Sequence, residues 1–257
     1  DAPTARRNRE GVIMGHGIYV ALSGAIAQAT ALETTATNLA NASTDGYQRL
    51  RPVFHEVLSR ASAGRTDGLH YTANASAPVD PSAGARRATG GSLDAALPEG
   101  TYLAVSTPRG ERYTRACSLS FAPDGALRNA SGAAIVGERG EPIVVRGDTR
   151  GATLGSDGSV RNRDGVQIAR LRTVSFARPE QLRPEGNTVL SATAGAGAAQ
   201  VSAATIDVGA VEESNASIVQ AMTELVSVTR RFEAFQRAID TFREADRRVV
   251  TVPSVSG

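Results

Sequence analysis

The chain reads as an α+β protein: long N- and C-terminal helices that pair as a coiled coil, plus a central antiparallel all-β domain. Three observations predict this. Apolar residues recur at heptad spacing at both ends. Short apolar runs broken by turns fill the middle, and a stretch rich in Ala, Ser, Gly, Thr and Pro separates the first helix from them. The expected organisation is an extension without fixed structure over 1–13, a helix over 14–42 and an extended linker over 43–92. A β-domain over 93–208 and a C-terminal helix with its tail over 209–257 complete it.

In the first helix Ile18, Leu22, Ala25, Ala29, Leu32, Ala36 and Leu39 alternate steps of four and three, a heptad seam with small residues at several positions. Met14 opens this pattern, and the cluster Asn41-Ala-Ser-Thr-Asp-Gly46 ends it as a turn. In the second helix Ala221, Leu225, Val228, Phe232, Phe235, Ile239 and Phe242, then Asp246 and Val249, continue the same spacing. Ser214 or Asn215 is the expected N-cap, and Pro253 ends the run. Neither amphipathic helix can bury its stripe alone. The small-residue seam and the Phe-rich seam are complementary in size, so they are expected to pack on each other or on copies of themselves.

The middle carries "TYLAVST", "RYTRACSLSF", "AAIVG", "EPIVV" and "LRTVSF", separated by Gly, Asp-Gly and Pro. Short runs with frequent turns point to antiparallel strands rather than βαβ units. An internal echo supports this: "DGALRNASGAAIV" from Asp124 matches "DGSVRNRDGVQIA" from Asp157. Each copy reads as turn, strand, turn, strand, so two similar hairpins are expected.

Composition narrows the function classes. Aromatics make up 4% of the 257 residues and Trp is absent, which argues against a base-stacking platform. The formal charge is +2, and all 28 positive side chains are Arg scattered among acids, so neither nucleic acid nor a membrane surface is indicated. A single cysteine, Cys117, precludes an intrachain disulfide. No apolar run reaches about 18 residues, so no membrane insertion is expected. The N-terminal residues lack the apolar core of a cleaved secretory signal, which makes export by a route without one the expectation.

Catalytic chemistry finds little support. The three histidines, His16, His55 and His70, fall in the first helix or the linker, away from the β-region. Cys117 lies mid-strand without a catalytic signature and reads as a small buried apolar side chain. No HExxH, paired Cys-x-x-Cys or EF-hand loop is present, so no metal and no cofactor is expected. "GAGAAQ" after Ala194 lacks the Lys-Ser/Thr ending of a phosphate loop. Asn-Ala-Ser occurs at Asn41, Asn74, Asn129 and Asn215, a pattern an Ala- and Ser-rich chain readily produces by chance. The arginines of the last helix are interspersed with acids and read as a solvated face.

The segment Gly17 to Arg49, "GIYVALSGAIAQATALETTATNLANASTDGYQR", resembles the N-terminal signature of the flagellar rod, hook and hook-associated proteins. That signature is a helix ending in Asn-Asn-Leu-Ala-Asn and followed by Thr-x-Gly-Tyr/Phe; here Thr37 replaces the first Asn. Val211 to Phe242 is similar to the family's closing segment, with its Glu-x-Ser-Asn start. "TGGSLDAAL", "RYTRACSLSFAPDGAL" and "GNTVL" follow in family order, with Cys117 standing at the Gly of the Tyr-Thr-Arg-x-Gly pattern. The size and both termini resemble the proximal-rod member with a single β-domain more than its distal-rod paralogue.

The resemblance implies a non-enzymatic subunit of the basal-body rod, spanning the periplasm and serving motility. Its helices would form an inner layer around a channel, with the β-domain outside. Implied partners are further copies, the other proximal and distal rod subunits, and the flagellar type III export apparatus. The assembly seam would comprise the seven first-helix positions above, Asn41, and Leu225, Val228, Phe232, Phe235, Ile239 and Phe242. A rival reading is a secreted β-domain enzyme or carbohydrate-binding module, which needs a pocket lined by convergent polar groups and aromatics.

Overall fold

The computed structural model describes residues 2–59, 69–74, 77–186 and 188–250. The chain divides into two compact units, each assembled from non-contiguous segments. One comprises 1–36, 52–77 and 221–257; the other comprises 37–51 and 78–220.

The first unit holds most of both long helices, α1 (Ala2–Ala40) and α2 (Ile218–Val250). Helix α1 begins upstream of the expected start, so residues 2–13 continue it rather than forming an irregular extension. The Ala- and Arg-rich sequence favours helix, and Pro3 sits in the first turn, where its missing N–H leaves no bond unmade. Ala21, Gly24, Ala25, Ala31, Thr34 and Thr35 lie on the buried side of α1. Gly24 faces the Phe235 ring so closely that an added Cβ would come 2.4 Å from its Cε1. A small residue there is what lets the two backbones approach.

The expected linker contains structure of its own. Phe54–Ser59 and Leu69–Asn74 form an antiparallel hairpin, registered from Phe54 opposite Asn74 to Ser59 opposite Leu69. The second run alternates apolar with polar residues and the first carries Phe54, Val57 and Leu58, a signal that the Ala-Ser-Gly composition around them obscures. Farther on, Arg86–Ala88 pairs with Ala210–Glu212, so residues 86–88 belong to the β-unit.

The second unit is antiparallel throughout its described pairings. Its largest sheet is centred on Thr101–Thr107, which pairs with Gly110–Thr114, Ala134–Ile135 and Thr173–Ser175. This strand is buried on both faces. Leu103 and Val105 enter one apolar cluster with Cys117, Leu127, Ile135, Val160 and Ile206. Tyr102 and Ala104 enter a second with Val79, Val174 and Leu190, where the Phe176 ring packs edge-on against Tyr102 and Tyr113. The period of two along the central strand thus divides the core in two.

The two repeats are built alike. Asp124 Oδ1 accepts from Ala126 N, and Asp157 Oδ1 accepts from Ser159 N, each closing a tight turn. In the second turn of each copy, Asn129 Oδ1 accepts from Ala133 N, and Asn162 Oδ1 accepts from Val166 N. Hydrogen bonds from the Ser159 side chain and backbone, with Arg170 beside them, hold the Asp157 carboxyl well below the ordinary carboxylate range.

The turn that ends α1 carries a strict glycine. Gly46 has φ +71°, and a Cβ there would lie 2.3 Å from Ala116 N. We expect Gly46→Ala to destabilise the β-unit by more than about 1 kcal/mol, through left-handed strain and the backbone clash. The urea midpoint of unfolding, followed by a signal from the β-unit, checks this.

A motif node and candidate assembly faces

The residues that follow α1, the bend at Arg115 just after the Gly110–Thr114 strand and the residues before α2 meet within the β-unit. At the end of α1 the Asn38 side chain bridges the turn. Its Oδ1 accepts from Tyr47 Oη at 2.9 Å and Leu50 N at 2.8 Å, and its Nδ2 donates to Leu50 O. Burial pushes the Tyr47 hydroxyl up to about 12. Asn41 is buried, donates back to Thr37 O and accepts from Thr44 Oγ1. Gly46 N then donates to Glu212 O, and Asn215 Oδ1 accepts from Arg49 N.

Asn215 was an expected N-cap of α2. Instead its Nδ2 donates to Asp80 O and Ser82 O, and the cap is Ser217, whose Oγ accepts from Gln220 N. Asn215 is taken up by tertiary bonds because its amide can donate and accept at once, which a helix cap does not need. Pro253 lies outside the described residues.

Asp80 is 4% exposed and accepts from Arg49 Nη2 at 2.9 Å and Arg51 Nη2 at 2.6 Å. Burial works to raise its pKa, but hydrogen bonds from Ser82, Arg49 and Arg51 outweigh that and hold it at about 2.

The deepest feature is an ion pair. The side chain of Arg115 is 0% exposed and that of Glu212 is 4% exposed. Arg115 Nε donates to both Glu212 oxygens at 3.0 and 2.9 Å. Its Nη1 donates to Pro98 O and Thr101 O, and its Nη2 donates to Leu97 O and to Glu212. Every guanidinium donor therefore has an acceptor. Gly84 N supplies a further bond to Glu212 Oε1, and the Tyr102 ring lies 5.7 Å from the guanidinium carbon. Cys117, two residues on, is 2% exposed inside the apolar core, where burial pushes its thiol up to about 12. The residue at the expected Gly position is thus absorbed as a core side chain, away from solvent.

The seam positions fall differently on the two helices. On α2, Ala221 and Val228 are buried, and Leu225, Phe232, Phe235, Ile239 and Phe242 are partly buried, so one stripe carries them all. On α1 only Ala25 is buried; Ile18, Leu32 and Leu39 are partly buried, and Leu22, Ala29 and Ala36 are exposed. A neighbouring face of still smaller residues is turned inward instead. Apolar side chains left in solvent include Leu22 and Ile26 on α1 and Val219, Met222 and Val226 on α2.

Among the described residues no cluster of three or more His, Cys, Asp or Glu could hold a metal ion. The groove between Gly137–Val145 and Gln167–Arg170, about 400 Å³, is lined by no aromatic ring. Among the described residues no helix is long and apolar enough to cross a membrane. Sequence reading missed Asn38, Asp80, Arg115, Glu212 and Asn215 as organising residues. All but Asp80 stood inside the quoted motifs; the signal was present without a geometry to interpret it.

The node's residues clamp separate segments of the β-unit together. The family described as "Flagella basal body rod protein" matches residues 18–48, and "Flagellar basal body rod FlgEFG protein C-terminal" matches residues 208–252. The flagellar basal-body rod protein FlgF of Escherichia coli (strain K12) is 33% identical over 256 residues, covering 95% of this chain and 100% of that protein. FlgF of Salmonella typhimurium is 31% identical over 261 residues, again covering 95% and 100%. FlgG of Bacillus subtilis is 26% identical over 265 residues, covering 93% and 99%. The chain belongs to the flagellar basal-body rod proteins and is a structural subunit of that rod.

The Asp80 clasp has a pH signature. Because its folded pKa lies below the ordinary 3.8, its contribution is full above that value and is lost as pH falls towards about 2. That contribution is on the order of 2 kcal/mol at neutral pH. We expect Asp80→Asn to lose about this much at pH 7 and to show a shallower fall in stability between pH 5 and 2. Urea titrations at a series of pH values measure both.

Proposed function

We propose that this rod subunit carries no catalytic activity and assembles through its terminal helices, pairing them as a coiled coil and joining them to those of neighbouring subunits. The observation that carries the reading is the apolar surface left on both helices of a single subunit. Leu22 and Ile26 on α1, and Val219, Met222 and Val226 on α2, remain in solvent although α2 already turns its Phe-rich stripe inward. Exposed apolar side chains at helical spacing are what a second layer of helices covers. The close approach of Gly24 to Phe235 supports direct pairing of α1 with α2.

The partners in this reading are further copies and the other rod subunits, and the site is the periplasm-spanning basal body, reached through the flagellar type III export apparatus. A proximal-rod position is favoured. The preference rests on identities of 33% and 31% with FlgF of E. coli and Salmonella; the FlgF proteins of Rhizobium meliloti and Caulobacter vibrioides, at 28% and 26%, stand level with the FlgG proteins of Agrobacterium fabrum and B. subtilis.

Phe232→Asp places a carboxylate in the partly buried α2 stripe, at a cost of several kcal/mol if it is covered without a partner. We expect the variant to keep a protease-resistant β-unit yet to be missing from isolated basal bodies, with motility lost. Normal rods containing it, or a β-unit that unfolds, would refute assembly through this stripe. Cys117→Ala tests the absence of chemistry. Stability should drop by about 1–2 kcal/mol from the lost core volume, with motility unchanged in swim assays.

A further inference from the structure

The β-unit is closed by the last part of itself to be made. Residues 206–216 enter after all its other strands and supply Ile206 to one core cluster, Val211 at 2% exposure, and the partner strands of Ala95–Ala96 and Arg86–Ala88. They also supply Glu212, the acidic side chain bonded to the fully buried Arg115. The other acceptors of Arg115 are three neutral carbonyls, from Leu97, Pro98 and Thr101. A guanidinium in that position without its carboxylate is an uncompensated charge in a low-dielectric interior, and removing one member of such a pair is severely destabilising.

We propose that Glu212 acts as a folding gate: residues 78–205 cannot close into the β-unit until the chain has grown far enough to bring Glu212 to Arg115. The order follows from position alone, since 97 residues separate the two partners and the acid comes second. Residues 37–51 are held by the same arrival, because Gly46 N donates to Glu212 O and Arg49 N donates to Asn215. A chain gated in this way stays open until nearly all of it exists, which suits a subunit threaded through an export channel. The folding claim stands without that reading, because its test involves neither export nor rods.

Ribosome-bound nascent chains, carrying a flexible extension long enough to span the exit tunnel, would be stalled with either residue 205 or residue 217 released. Brief proteolysis should leave a resistant β-unit only in the longer chain. A resistant fragment at the 205 stage would overturn the gate. In the full-length protein, Glu212→Gln keeps the shape and removes the charge. It should raise the fraction of β-unit open to protease by roughly a hundredfold or more. An open fraction within about threefold of the parent would also overturn the proposal. The double variant Arg115→Met/Glu212→Met removes both charges and should recover most of the protection. If it stays as open as Glu212→Gln, lost packing rather than the unpaired charge is responsible, and the gate is refuted.

Discussion

Burying a guanidinium without penalty is the constraint around which the β-unit is organised. Arg115 has no access to water, so each of its donors must meet an acceptor and its charge must meet an opposite charge. Three backbone carbonyls from the Leu97–Thr101 turn and one carboxylate meet that requirement. The carboxylate comes from the residue that ends the last strand before α2. The pair therefore ties the turn at Leu97–Thr101 to Ala210–Glu212, and the bond from Gly46 N to Glu212 O ties the end of α1 to both. A hydrophobic pair of similar volume could fill the same space without directed bonds. Five directed donors and a bidentate acceptor define one arrangement.

Around this pair, polar side chains do work that apolar packing does in larger cores. Asn38 and Asn215 each bridge segments that the sequence separates, using an amide that donates and accepts together. Asp80 gathers Arg49, Arg51 and Ser82 at the same end of the unit. Apolar density is concentrated instead in the central strand, which feeds a separate cluster on each face. The few aromatic residues of the chain are used sparingly there, with Phe176 set edge-on between Tyr102 and Tyr113. Precision at the node and mass at the strand are complementary ways of stabilising a domain built from non-contiguous pieces.

The helices follow a different logic. Helix α1 turns its smallest residues inward and leaves Leu22 and Ile26 in water, while α2 turns in the Phe-rich stripe and exposes Val219, Met222 and Val226. A self-sufficient protein would bury its larger side chains first. Helices that leave such a stripe in water gain stabilisation when further packing covers it.

The sequence by itself determined the α+β class, the antiparallel character of the middle, the paired repeats at Asp124 and Asp157, and the seven-position stripe of α2. Each is written in local periodicity or in a turn dipeptide, and such patterns keep their meaning whatever the rest of the chain does. It also pointed to the family, because the signature residues lie in continuous runs. Only tertiary structure decided which face of α1 turns inward. The inward stripe, with Gly24, Thr34 and Thr35, is the less apolar of the two, and its small residues face the Phe235 ring, where a larger side chain at Gly24 would collide. The hairpin at Phe54–Ser59 and Leu69–Asn74 was hidden by the composition around it. The Arg115–Glu212 pair was illegible for a deeper reason. An arginine just after a strand and a glutamate before a helix each read as solvated charges, and nothing local reports that partners 97 positions apart return to each other.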